Sequence, residues 1–237
     1  MDDIVVTGYP RSGNVWTARL LGDALDFPVV GIQGGWGSLA AEGFDRPGPR
    51  RVMQTHFWPK HGQAFRGEHL CVDPRYREER QLLLVVRDPR DMAVSISHHW
   101  KWTLDRTLDL LINGPGPLSL PPWHEYVTAW LHEAIPYVRY EDLYRNALVE
   151  LEKVLCVLDL VARKPLADVV ERQSFSVKRK EMEQHGDTYS FGREAQLEHL
   201  RSGKTGEWKG AFSDEQAVRA IEIWGPLLKT LGYIEDA

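Results

Sequence analysis

The stretch Gly8-Tyr9-Pro10-Arg11-Ser12-Gly13-Asn14-Val15-Trp16-Thr17 carries two glycines five residues apart, the spacing of a phosphate-binding loop. Such a loop aims backbone N–H groups at an anion, and the helix behind it adds its positive end. The ATP-binding version continues with Lys and Ser/Thr after the second glycine, to reach the β/γ-phosphates and to hold Mg²⁺. Asn14 and Val15 stand there instead, so the loop suits a phosphate and lacks the side chains for a metal–triphosphate. Arg11 is its nearest fixed positive charge. Farther along, His56 is a candidate base, because imidazole titrates near neutrality. Its plainer reading is a satisfied structural histidine. Arg87 and Ser95 could converge on one anion, or be a salt-bridged arginine and a solvated helical serine. Arg201-Ser202-Gly203-Lys204-Thr205-Gly206-Glu207-Trp208-Lys209 reads by itself as an exposed basic loop.

These residues need elements to hold them. Ile4-Val5-Val6 is a short apolar strand before the loop, and Ala18 to Leu25 continues it as a helix. Arg51 to His56 reads as a strand ending at the histidine, and in an α/β sheet chemistry collects at the C-terminal ends of strands. Leu82-Leu83-Leu84-Val85-Val86 is continuously apolar, the mark of a strand buried on both faces of a parallel sheet. It stops at Arg87, and Asp88 and Pro89 are a cap and first residue for a helix running to Trp100. Ile135 to Tyr140 reads as another strand, followed by a helix whose Leu148, Leu151, Val154, Leu155 and Leu158 have core spacing. A helix fits Trp123 to Ala134, and a last one runs from Ser213, capped with Gln216, to Leu231. Three segments lack such order: 33–50 and 101–122, punctuated by Gly and Pro, and the polar 181–200. They are read as lid or acceptor loops, with a plain surface loop as the alternative for 33–50.

The bulk numbers bound the function. The chain has 237 residues, enough for one domain, with a net charge of −5, which argues against nucleic acid as a partner. Apolar residues make up 43%, yet no run approaches the ~20 residues of a membrane helix. The N-terminus has neither a basic region nor a long apolar one, so no secretory signal is expected and a cytoplasmic location is. Cys71 and Cys156 sit among apolar neighbours and read as buried free thiols. His98, His99, His124 and His132 lack interleaved carboxylates or cysteines, so no metal site is expected.

Tyr9 to Trp16 resembles the 5′-phosphosulfate loop of the sulfotransferases that use PAPS (3′-phosphoadenosine 5′-phosphosulfate). Arg87-Asp88-Pro89-Arg90-Asp91 with Ala93 and Ser95 resembles the same family's 3′-phosphate motif. Arg201 to Lys209 resembles its Arg-Lys-Gly…Gly-x-Trp-Lys signature, with Ser202 in place of the Lys. Tyr140-Glu141-Asp142-Leu143 and Ser174-Phe175 are similar to segments near the adenine in that family. The three phosphate motifs fall in the family's order. The family's dimer patch is absent after Trp208, which leaves the oligomeric state open.

The resemblance implies a P-loop-type three-layer α/β sandwich with a central parallel sheet, as one domain over 1–237. It implies sulfonate transfer from PAPS to a hydroxyl or amine of a small-molecule acceptor, with PAP (3′-phosphoadenosine 5′-phosphate) released and no metal. His56 would be the general base, although Gln54 replaces a family lysine nearby. Arg11, Ser12, Gly13, Asn14, Val15 and Thr17 would hold the 5′-phosphate side. With Val15 unable to donate, Asn14 and Thr17 would supply the side-chain donors. Arg87, Ser95, Arg201, Ser202 and Gly203 would hold the 3′-phosphate, and Trp16, Tyr140 and Phe175 would enclose the adenine. The short chain is similar to bacterial enzymes that act on small molecules, natural products among them. Two other readings stay open: a P-loop small-molecule kinase, with Asp88 as its Mg²⁺ ligand, and a non-catalytic nucleotide-binding module.

Overall fold

The structure is a computed structural model that describes residues 3–31, 45–46, 50–56, 58–59, 71–72, 81–114, 120–185 and 202–235. Its centre is a five-stranded parallel sheet of β1 (Ile4–Thr7), β2 (Val29–Val30), β3 (Val52–Thr55), β6 (Gln81–Val86) and β7 (Tyr137–Arg139). The strand order is β2-β3-β1-β6-β7. A separate parallel pair joins β4 (Trp58–Pro59) to β5 (Cys71–Val72).

Alternate side chains of the central strands feed two cores. Val5, Leu82, Leu84 and Val86 face Met92, Ile96, Leu108, Trp123 and Trp224. These belong to α2 (Pro89–Trp100), α3 (Leu104–Asn113), α4 (Trp123–His132) and the long C-terminal helix α10 (Asp214–Thr230). Ile4, Val6, Leu83 and Val85 face the opposite layer, where Leu20, Leu21, Leu151, Leu155 and Val169 come from α1 (Asn14–Leu25), α6 (Ala147–Val157) and α7 (Leu166–Arg172). The fold is therefore the expected α/β sandwich, and the continuous apolar run of β6 is buried on both faces. Each of those side chains contributes roughly 1.5–3 kcal/mol when fully buried. The shorter helices are α5 (Tyr140–Arg145), α8 (Phe175–His185) and α9 (Trp208–Ala211).

Helix ends follow the expected chemistry. Asp88 caps α2 by accepting from the Arg90 N–H, with Pro89 in the first turn. Ser213 and Gln216 form a reciprocal capping box on α10.

The structure corrects three expectations. Within 101–122, residues Leu104–Asn113 are helical, not turn or lid. Thr103 caps this helix, and Leu108, Leu111 and Ile112 are its buried stripe. The glycines and prolines flanking it had masked that period. Residues 115–119 of that segment, most of 33–50, and residues 186–200 of the polar stretch lie outside the described residues, while 181–185 continue α8. Cys156 is an exposed free thiol. Leu151, Val154, Leu155 and Leu158 bury one side of α6, and position 156 falls on the other. The side chain of Cys71 lies outside the described residues.

Candidate active site

Parallel pairing sets Thr7 of β1 opposite Thr55 of β3 and Leu84 of β6, so Gly8 and His56 leave adjacent strands at one level. Arg87 follows β6, and Tyr140 follows β7. The candidate residues thus gather at the C-terminal edge of one sheet.

The loop after β1 turns by placing Arg11 (φ 71°) and Gly13 (φ 99°) in the left-handed region. Ser12 N–H donates to Tyr9 O at 3.1 Å, and α1 begins as Thr17 N–H bonds Gly13 O at 3.1 Å. Alternation of this kind turns successive N–H groups toward a concavity that suits an anion. The buried Ser12 hydroxyl points to Met92 Sδ at 3.6 Å, and the Thr17 hydroxyl bonds back to Gly13 O at 3.2 Å. A β-carbon on Gly13 would lie 2.5 Å from Tyr140 Cδ2. Gly13→Ala should therefore cost more than the roughly 1–2 kcal/mol of left-handed strain alone. Thermal unfolding checks this, and an unchanged midpoint would contradict the loop conformation.

Beside the loop, His56 Nδ1 lies 2.8 Å from Gly8 O. A carbonyl only accepts, so Nδ1 carries the proton and Nε2 keeps its lone pair. Asn14 Nδ2 donates to Gly8 O at 2.9 Å and to Thr55 O at 3.0 Å, and lies 3.1 Å from His56 Nδ1. Burial lowers the His56 pKa; the bond to Gly8 O opposes this, and the positive Arg11 reinforces it. The ring is held neutral, the state in which it can take a proton. Gln54 is buried in β3.

On the other side, Arg11 Nε donates to Ser95 Oγ at 3.0 Å. Arg87 Nη1 donates to Arg11 O at 3.0 Å and Nη2 to Lys204 O at 3.1 Å. Its guanidinium lies 4.3 Å from the centre of the Tyr140 ring, and its buried Nε has no partner. Tyr140 Oη donates to Gly203 O at 2.5 Å, and its ring meets Trp16 edge-on at 5.9 Å. Trp16 Nε1 in turn donates to Gln173 O at 2.9 Å, and Phe175 packs against Gly203. So Trp16, Tyr140 and Phe175 border the loop and the 202–206 turn together. Ser202 Oγ turns to Glu207 at 2.8 Å. Arg201 lies outside the described residues.

A family profile described as "Sulfotransferase domain" matches residues 46–232. The chain belongs to the sulfotransferase family. It is 24% identical to mouse sulfotransferase 1 family member D1 over 91% of this chain and 79% of that protein. It is 22% identical to a rabbit amine sulfotransferase over 96% of this chain and 81% of the relative. A mouse sulfotransferase in complex with PAP superposes with a TM-score of 0.70 at 20% identity, covering 96% of this chain and 84% of that one. Retinol dehydratase with androsterone and PAP gives 0.66 at 16%, over 96% and 80%. This chain is thus an enzyme of sulfonate transfer.

Two residues of this sulfotransferase that sequence reading passed over support the site from behind. Asp91 accepts from Gly206 N–H at 2.5 Å and Trp208 N–H at 3.0 Å, pinning the 202–208 turn to α2. Burial raises its pKa, and the two N–H bonds oppose that rise. Glu141 accepts from Asp88 N–H at 3.0 Å and from the Tyr233 hydroxyl at 2.9 Å, which fixes the turn that follows Arg87. Burial raises its pKa too. The available signal was position: Asp91 stands in the first turn of α2, where a carboxylate meets backbone donors.

Proposed function

We propose that this sulfotransferase moves the sulfonate of PAPS to a hydroxyl or amine of a small-molecule acceptor and releases PAP. The observation that carries the reading is the convergence of Arg11, Ser95 and Arg87 on one loop beside a histidine whose Nε2 is free to accept. The site suits two phosphates. Arg87 presents a buried Nε without a partner, and the loop turns through left-handed Arg11 and Gly13, a conformation that suits an anion. Buried donors of this kind favour a charged ligand that completes them.

In the reaction the acceptor's oxygen or nitrogen forms a bond to sulfur while the bridging bond from sulfur to the 5′-phosphate oxygen breaks. His56 Nε2 takes the acceptor's proton. Arg11 and the loop amides stabilise the charge that gathers on the departing phosphate. Arg87, Ser95, Ser202, Gly203 and Arg201 hold the 3′-phosphate, and Trp16, Tyr140 and Phe175 enclose the adenine. Asn14 and Val15 contribute backbone N–H groups at the start of α1, ahead of Thr17, whose own N–H bonds Gly13 O. We extend the reading to a single catalytic domain working in the cytoplasm. Among the described residues, no helix is long and apolar enough to cross a membrane.

The kinase reading loses its metal ligand. Asp88 caps α2 and is forked by Arg90 at 2.7–3.1 Å, so its carboxylate is engaged. Incubation with ³⁵S-labelled PAPS and a panel of phenols, aliphatic alcohols and primary amines tests the proposal. Label moving to at least one class supports it, and label staying on PAPS throughout overturns it. Activity should fall as pH drops through the His56 pKa, because the protonated ring has no lone pair to offer. Burial lowers that pKa, so the acid limb of kcat/KM should lie below the ordinary histidine value of about 6.5. A limb at or above that value would contradict the assignment.

A further inference from the structure

We infer that Asn14 is a positioning residue for the His56 base, and not a side-chain donor to the cofactor phosphate. This deepens the reading of His56 given above and rests on it. Asn14 is 3% exposed at the first turn of α1. Its amide nitrogen has two hydrogens, and two carbonyls lie in bonding range: Gly8 O at 2.9 Å and Thr55 O at 3.0 Å. Those carbonyls sit at the ends of β1 and β3, one on each side of the point where the two strands separate. Both hydrogens are therefore spent, and none is left for a phosphate. The remaining atom, Oδ1, has no partner and is an acceptor, which a phosphate would repel. The opposite amide orientation is excluded, since it would set Oδ1 against both carbonyls.

The link to the base is Gly8 O. It accepts from Asn14 and from His56 Nδ1 at 2.8 Å. Asn14 so holds the acceptor that fixes the tautomer, and with it the direction of Nε2. The absence of a side chain at Gly8 allows this, because a β-carbon there would run into Asn14 Oδ1 and would lie 2.5 Å from Val85 O. An acceptor tethered at both strand ends keeps a histidine in one tautomer, and a wrong tautomer is costly to a general base. Arg11 is the charged group that acts on the ring from the loop.

The test uses the full chain with Asn14→Ala and with Asn14→Thr, whose single hydroxyl cannot serve both carbonyls. Long-range ¹H–¹⁵N spectra report the tautomer of His56, assigned by its loss in His56→Gln. Calorimetry reports PAP affinity. We expect wild type to show one Nδ1–H tautomer and both variants a mixture. PAP affinity should stay within about threefold, while kcat falls about ten- to a hundredfold, a part of the roughly 10²–10⁴ that a positioned base supplies. A single unchanged tautomer, or PAP affinity falling in step with kcat, would overturn the role. Failure of the base reading itself is separate: it would appear as full activity in His56→Gln whatever the Asn14 variants do.

Discussion

His56→Ala should lower kcat by about 10²–10⁴ and leave PAP affinity close to that of the wild type. The split follows from the geometry. His56 stands at the end of β3, with Nδ1 committed to Gly8 O and Nε2 free. Its ring makes no hydrogen bond to Arg87, Ser95 or Tyr140, where the nucleotide is proposed to lie. Losing the bond to Gly8 O should cost about 1 kcal/mol of stability, so the variant should fold with a slightly lower midpoint. Rates measured at saturating PAPS, with PAP binding by calorimetry, check both parts. A variant that binds PAP normally and still turns over normally would support the non-catalytic module over the enzyme. One that loses kcat and PAP binding together would mean that His56 holds the loop and does not act on the acceptor.

Arg87→Ala should reverse that pattern, with its main effect on binding. Arg87 joins three pieces of the site: its guanidinium bonds Arg11 O and Lys204 O and lies over the Tyr140 ring. Its removal takes away a charge from the proposed 3′-phosphate site and the tie between the loop and the 202–206 turn. Hydrogen bonds to charged groups are worth about 1.5–3 kcal/mol each, so loss of a two-pronged contact from the guanidinium to the 3′-phosphate should weaken PAP by roughly 10²–10⁴-fold. Arg87→Lys keeps the charge and loses the planar fork, and should recover only part of it. The neighbouring Arg90 offers no substitute, because it is paired with Asp88 at 2.7 Å and lies 4.0 Å over the Trp208 ring. PAP affinity within a few-fold of wild type in Arg87→Ala would place the 3′-phosphate elsewhere.

Much of this was legible in the residues alone, for local reasons. The run Leu82 to Val86 can be apolar at every position because both faces of the strand are covered. Asp88 with Pro89, and Ser213 with Gln216, announce helix starts through bonds within one turn. What stayed hidden depends on distant partners or on period. Asn14 looks like a loop donor by its place after Gly13, yet its carbonyl partner Thr55 lies on another strand, brought there by parallel register. Asp91 binds backbone more than a hundred residues away, and no spacing rule relates it to Gly206. The helix at Leu104–Asn113 and the exposed Cys156 were misread because local composition was weighed above helical period.

The central claim is a site that takes a nucleotide through phosphates at both its 3′ and 5′ positions and needs no metal to do so. Calorimetric titration with PAP, with adenosine 5′-phosphate, and with ATP plus Mg²⁺ tests it most directly. The account predicts that PAP binds much more tightly than adenosine 5′-phosphate, because only PAP fills the Arg87–Ser95 side, and that EDTA leaves the PAP isotherm unchanged. Tight binding of ATP–Mg²⁺ with none of PAP would contradict it and return the chain to the kinase reading.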